Sequence, residues 1–149
     1  MPLSILKASP GLYRSTISTL LIFALAAPAW GQQNLRGLDP QLVEQGKSLF
    51  LENCAVCHGD NAEGTVENWH QRDADGKLPP PPLNGTAHTW HHPVGGLVHT
   101  IKNGTIGIGG SMPAWEGTLT DDQILSIIMW LTTLWPDEIF ATWYQLNNQ

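Results

Sequence analysis

Cysteine occurs twice in the 149 residues, and the two stand three apart with a histidine directly behind them: Cys54-Ala55-Val56-Cys57-His58. No other feature limits the chain so much. Residues i and i+3 share one face of a helical turn. Thiols set this way reach one edge of a single flat group, and the next residue can swing its imidazole beneath that group's centre. C-x-x-C-H is the spacing of covalent haem attachment. Cys54 and Cys57 would bond the two vinyl carbons of one porphyrin edge, and His58 would be the proximal ligand of the iron. Competing readings of a cysteine pair lack their companions here. A redox C-x-x-C sits in a βαβ setting, and no such alternation is legible. A structural zinc site needs about four Cys or His ligands, and a second C-x-x-C is missing. A plain disulfide suits an exported chain but leaves His58 without a role.

The chain's beginning points the same way. Lys7 and Arg14 frame the start of an apolar run from Ile17 to Trp30, with small residues at Ala27, Ala29 and Gly31. Basic, apolar, then small is the order of a secretory signal peptide. The apolar run of 14 residues is short of the roughly 20 that a membrane-spanning helix needs. Residues 1–31 are therefore read as a leader, cut at Ala27-Pro28-Ala29 or at Ala29-Trp30-Gly31, and residues 32–149 as one domain with no stable membrane span after cleavage. Periplasm is the expected location. Thylakoid lumen is the fallback, and a membrane anchor follows if the leader is retained. Without Lys7 and Arg14, five basic side chains remain against 13 carboxylates, a net charge of −8. Such a chain is poorly equipped for nucleic acid, whose phosphates are bound mainly by Lys and Arg. Its acidity can steer it toward a basic surface on a redox partner. A mature chain of 118 residues has a modest core, and a large bound group would help it fold.

Glycine (15) and proline (11) are plentiful and β signals are few, which suggests helices joined by long loops. A first helix is expected from Asp39 as cap and Pro40 as first residue, with Leu42, Val43, Gly46, Leu49 and Phe50 along one side. Glycine weakens a helix relative to alanine, so Gly46 points to a close helix–helix contact. From Gly59 to Leu83 the pattern is loop. Asp73-Ala74-Asp75-Gly76 reads as a turn, and Pro79 to Pro82 forbid regular helix. A short helix is expected over Pro93–Asn103, its apolar face Val94, Leu97, Val98 and Ile101 and its cap Gly104. Gly104 to Pro113 is a glycine-dense loop, able to lie closely against a flat ligand. The last strong helix opens with a capping box, Thr120 and Gln123, and a hydrophobic staple, Leu119 and Ile124. Ile124, Ile127, Ile128, Leu131 and Leu134 form its core face, and Pro136 ends it. Residues 137–146 suggest a further helix with Trp143 folded back on the core.

Helix, C-x-x-C-H, loop, short helix, methionine–proline loop and capped terminal helix follow in that order over about residues 40–135. In this the chain resembles the class I cytochrome c family. The resemblance implies an all-α fold, a few helices and long loops wrapped around one covalent haem c. It implies that the first and last helices cross, with Gly46 and Phe50 against Ile127 and Trp130. Pro81-Pro82-Leu83-Asn84-Gly85 matches the family's Pro-x-Leu-x-Gly segment. The Pro81 carbonyl would then accept the His58 Nδ1–H, fixing the tautomer, and Leu83 would pack on the haem face. Met112, next to Pro113, is the expected distal ligand. A thioether is a soft neutral donor and raises the potential relative to two histidines. Met129, inside the terminal helix, is read as packing. His88, His91, His92 and His99 gather near Trp90, and His70 stands alone. Any of them is an alternative sixth ligand, although a loop histidine is more often exposed or hydrogen-bonded. Trp69 and Trp90 can donate to haem propionates or simply pack.

Iron held by His58 and Met112 has no open position. The expected role is thus one-electron transfer between redox partners, and not catalysis. Two other roles stay open. One is a cytochrome subunit of a larger oxidoreductase or oxidase. The other is a haem protein with a displaceable sixth ligand that binds a gas or peroxide.

Overall fold

The structure is a computed structural model that describes residues 36–149. The leader read at residues 1–31 lies outside the described residues. Helix α1 (Pro40–Asn53) starts where the Asp39 carboxylate accepts the Gln41 N–H at 2.9 Å, with Pro40 in the first turn. Cys54 ends α1 and opens the single turn α2 (Ala55–His58). Loop follows as far as a 3₁₀ turn at Thr89–His91, then α3 (Val94–Asn103), a second 3₁₀ turn at Ile106–Ile108, α4 (Asp121–Thr133) and α5 (Asp137–Asn147). No strand forms among the described residues beyond an isolated bridge between Glu116 and Leu119. The all-α expectation holds.

The core is built where α1 crosses α4. Gly46 makes the crossing possible: a Cβ there would overlap the Ser126 carbonyl and stand 2.9 Å from the Ile127 nitrogen. One turn on, the Phe50 ring lies 4.6 Å from the Trp130 ring at a tilt of 44°, within the range where aromatic pairs attract. Leu42 does not share this burial and is exposed. One crossing helix covers only a narrow stripe of α1, centred on Gly46 and Phe50, and Leu42 falls at its margin.

The start of α4 follows its sequence signals. Thr120 Oγ1 accepts the Gln123 N–H at 3.3 Å while Gln123 Oε1 accepts the Thr120 N–H at 2.9 Å. These bonds satisfy donors that a helix start leaves unpaired. Leu119 and Ile124 are both buried beside them, and Ile127, Ile128 and Leu131 continue the core face. Pro136 then turns the chain into α5, which ties distant segments together. Trp143 meets Trp135 edge-on at 5.4 Å and donates its indole N–H to the His92 carbonyl at 2.8 Å. Asn147 Oδ1 accepts the Val94 N–H at 2.7 Å, capping the start of α3. Arg36 closes the same end of the molecule. Its guanidinium donates to the Thr132 and Trp135 carbonyls, pairs with Asp137 at 2.8 Å and lies 4.4 Å over the Phe140 ring. A cation at the last carbonyls of α4 also meets the negative end of the helix dipole. No helix among the described residues is long and apolar enough to cross a membrane.

Candidate functional site

α2 sets the spacing of the cysteines and histidine. The Cys57 and His58 N–H groups both donate to the Cys54 carbonyl, at 3.1 and 3.0 Å. Cys54 is half-buried, Cys57 is exposed, and both are free thiols. Burial, and then the neighbouring Cys57, pushes the Cys54 pKa up to about 11, so the thiol keeps its proton at neutral pH. His58 is buried, with Nδ1 3.0 Å from the Pro81 carbonyl oxygen. A carbonyl can only accept, so Nδ1 carries the proton and Nε2 keeps its lone pair. Burial lowers the His58 pKa, only partly opposed by the Pro81 bond. The side chain is thus held neutral with one nitrogen free, the form that binds metals.

The Pro81 carbonyl reaches His58 because two loops are pinned to each other. Ala62 is fully buried and takes a left-handed backbone, φ 57°. Its carbonyl accepts the Leu83 N–H at 2.7 Å and the Asn84 N–H at 3.2 Å. The His58 carbonyl accepts the Gly64 N–H at 2.7 Å, and Trp135 Nε1 donates to the Leu83 carbonyl at 2.8 Å. Segments 59–64 and 81–84 are therefore fixed to each other and to the end of α4. Leu83 and Cys54 both pack, half-buried, on the core cluster. The apolar face of α3, Val94, Leu97, Val98 and Ile101, also meets that cluster, yet none of the four is fully buried.

Met112 is positioned separately, by the end of α3. The Thr105 N–H donates to the Met112 carbonyl at 2.9 Å, and the Met112 N–H donates to Thr105 Oγ1 at 3.1 Å. Gly104, with φ 67°, approaches so closely that a Cβ would lie 2.6 Å from the Met112 carbonyl oxygen. Met112 is half-buried and stands outside the core cluster. Met129 shares both properties, but it sits on a regular helix, whereas Met112 sits in a loop closed on itself. Thr105 was not singled out by the sequence. Threonine in a glycine-dense run gives no hint that its hydroxyl will bond the backbone seven positions on.

The histidines centre on Trp69, not on Trp90. The Trp69 ring is 3.5 Å from that of His70 and 5.3 Å from that of His88, and His92 meets His88 edge-on at 5.7 Å. Trp90 contacts only His91 of this group, edge-on at 3.8 Å. Burial, then His92, His91 and His70, lower the His88 pKa. His99 is apart and bonds Asn103. No three His, Cys, Asp or Glu among the described residues are grouped to hold a metal ion.

Two free thiols, a neutral imidazole with an open nitrogen, a loop thioether and an apolar wall fit a haem. Imidazole and thioether suit iron, and apolar side chains suit the macrocycle.

Residues 41–131 match the family model for cytochrome c oxidase, cbb3-type, subunit III. The cbb3-type cytochrome c oxidase subunit CcoP of Azospirillum brasilense is 37% identical over 105 residues, 68% of this chain and 31% of that protein. Subunit FixPc of Rhizobium leguminosarum bv. viciae is 33% identical over 110 residues, 74% of this chain and 33% of that one. The chain thus spans 31% to 33% of the length of these two curated relatives. Among solved structures, cytochrome cL from the marine methylotrophic bacterium Methylophaga aminisulfidivorans is similar with a TM-score of 0.52 and 27% identity, covering 70% of this chain and 63% of that one.

Proposed function

The chain belongs to the family of cbb3-type cytochrome c oxidase subunit III, and from that premise we propose that it is an electron-transferring cytochrome c module working within an oxidase complex. A cytochrome c domain implies covalent haem c with its iron, and the likeness to cytochrome cL agrees with the class I cytochrome c fold. The observation that carries the proposal is that the matched residues, 41–131, include both the Cys54–His58 turn and the Met112 loop.

In this reading Cys54 and Cys57 hold one haem by thioether bonds, and His58 and Met112 are the axial ligands. Haem c supplies reversible one-electron ferric–ferrous chemistry when bound. The chain's residues set the conditions for it. Pro81 fixes His58 in the Nδ1–H tautomer and aims its Nε2. Leu83 and the apolar face of α3 exclude water from the pocket, and burial favours the less charged iron state. Thr105 holds the Met112 loop closed. With both axial positions held by side chains, the role in this reading is one-electron transfer.

Similarity to the CcoP and FixPc subunits supports a subunit role over the freely diffusing carrier expected from sequence. Export to the periplasm and a redox-protein partner follow from the same reading. The test is purification of an epitope-tagged chain from its own host after detergent extraction of membranes. Co-elution with cytochrome c oxidase activity supports the subunit role. Recovery of all the holoprotein as a monomer in the osmotic-shock fluid overturns it in favour of the free carrier. Rapid carbon monoxide binding by the wild type would instead indicate a displaceable sixth ligand.

A further inference from the structure

The segment that carries Met112 is held by the end of α3. Besides the Thr105–Met112 bonds described above, the Trp115 N–H donates to the Ile101 and Lys102 carbonyls at 3.2 and 3.1 Å, and the Glu116 N–H to the Lys102 carbonyl at 3.1 Å. A tilt or a fraying of α3 is therefore felt at Met112. Yet the start of α3 is poorly made to resist either. A helix start leaves four N–H groups without partners inside the helix. Pro93 stands at the cap position and has no side-chain oxygen to offer them. Gly95 and Gly96 follow in the first turn, and glycine is a weak helix former. Packing does not ask for the first of them, since a Cβ at Gly95 would meet no atom within 4 Å. No residue of α3 is fully buried, in contrast to α1 and α4.

α5 supplies what α3 lacks. Asn147 Oδ1 accepts the Val94 N–H at 2.7 Å, from 53 residues further along the chain. Asn147 Nδ2 donates to the Trp143 carbonyl at 2.8 Å, which fixes the amide with its oxygen toward Val94. One turn earlier in α5, Trp143 Nε1 donates to the His92 carbonyl at 2.8 Å. Two side chains of α5 thus grip the chain on both sides of Pro93. Between this grip and Gly104, α3 is ten residues long, about 15 Å of helix. It is a short rod, braced at one end and carrying Met112 at the other.

We propose that Asn147 is a positioning residue for the axial Met112, acting through α3: by capping Val94 it keeps α3 whole from its first residue and so keeps the thioether on the iron. The proposal rests on the His58/Met112 haem reading and goes beyond it, because it gives α5 control over how easily the sixth position opens. α5 (Asp137–Asn147) lies beyond the residues matched by the family model, 41–131, so this control is not part of what the match conveys. An outside ligand reaches the iron only after the thioether leaves. Its apparent affinity therefore rises in proportion to the fraction of molecules that are open.

The test is titration of imidazole into the full-length ferric holoprotein, with loss of the weak far-red band of methionine-ligated haem as the readout. Asn147→Ala should bind imidazole about fivefold more tightly than wild type, the factor expected for one lost helix cap. Asn147→Asp keeps an oxygen for the Val94 N–H and should restore the wild-type affinity. Gly95→Ala enters open space and strengthens the first turn of α3, so it should weaken imidazole binding. Thr120→Ala removes a cap of similar worth from α4 and should leave the affinity as in wild type, which separates positioning of Met112 from general loss of stability. Wild-type affinity in Asn147→Ala overturns the proposal, and so does an equal gain in Thr120→Ala. Failure of Asn147→Asp to restore the affinity also overturns it, by moving the effect to the amide's bond with Trp143. Should Asn147→Ala yield no folded holoprotein, Gly95→Ala decides: weaker imidazole binding upholds the proposal and unchanged binding overturns it. A wild type that lacks the far-red band sinks the Met112 reading instead, and is recognised before any variant is compared.

Discussion

Gly46→Ala adds one methyl group where α1 crosses α4. The new Cβ would overlap the Ser126 carbonyl and come within 2.9 Å of the Ile127 nitrogen. Both belong to backbone inside α4, so no side-chain rotation relieves the clash and α1 must move away. Overpacking of this kind costs about 1–3 kcal/mol. The displaced Phe50 also gives up part of its contact with Trp130, worth about 0.5–1.5 kcal/mol. Against this stands the helix-propensity gain from glycine to alanine, about 1 kcal/mol. The net expectation is a loss of about 2 kcal/mol, or a fall in Tm on the order of 10 °C for a domain of this size. Urea unfolding of the holoprotein, followed by circular dichroism at several wavelengths, reads it as a lower midpoint at unchanged slope. Because α1 runs straight into Cys54, the variant should also weaken the far-red band while keeping its covalent haem. A variant as stable as wild type, or more stable by the propensity gain alone, would refute the reasoning. The two helices would then not touch at Gly46.

Thr120→Ala removes one half of the capping box and should cost about 1 kcal/mol in the same unfolding assay, with no change in the visible spectrum. Trp135→Phe leaves the part-buried Leu83 carbonyl without its indole donor and should cost about 1 kcal/mol. It should also shift the midpoint potential, since the Leu83 segment carries the Pro81 carbonyl; a pure stability change would argue against that coupling. Acid titration tests His58. Its folded pKa is lowered by burial, so folding favours the neutral ring. The unfolded chain takes up the proton first, and stability from this group is complete above the ordinary histidine value of 6.5 and is lost as pH falls through the lower, folded one. In the chain before haem attachment, with no iron on Nε2, the ring should therefore stay neutral as pH drops through 6.5, and a His58 imidazole resonance that titrates there would contradict the burial.

The parts of the fold that were legible in sequence are those written in neighbouring residues. Asp39-Pro40, Thr120 with Gln123, and Gly104 each act within one helical turn, and each sits where it was expected. Gly46 was legible for a different reason. A glycine amid a helix's apolar face is costly unless another backbone needs the space. Leu42 shares the apolar side of α1 yet is exposed, because periodicity reports which side is apolar but not how wide a stripe the neighbour covers. Arg36, Trp135 and Trp143 were not assigned their bonds, since their partners lie 51 to 101 residues away and no local pattern records such a distance. Trp69 beside His88 was not foreseen either, because the loop between them carries no periodic pattern. At the site, the Cys54–His58 turn is a local motif and its spacing is legible in neighbouring residues. The Thr105–Met112 closure was invisible, because it arises from a loop geometry that its glycines permit but do not encode.

The most direct test is the visible spectrum of purified wild type and Met112→Ala, ferric and ferrous, with the covalent haem content of each measured in parallel. The account predicts one covalent haem per chain in both. The weak far-red band of methionine-ligated ferric haem should be present in wild type and absent in the variant, which should now bind carbon monoxide. Covalent haem in a wild type that lacks the band would contradict Met112 as ligand and return the sixth position to the histidines around Trp69.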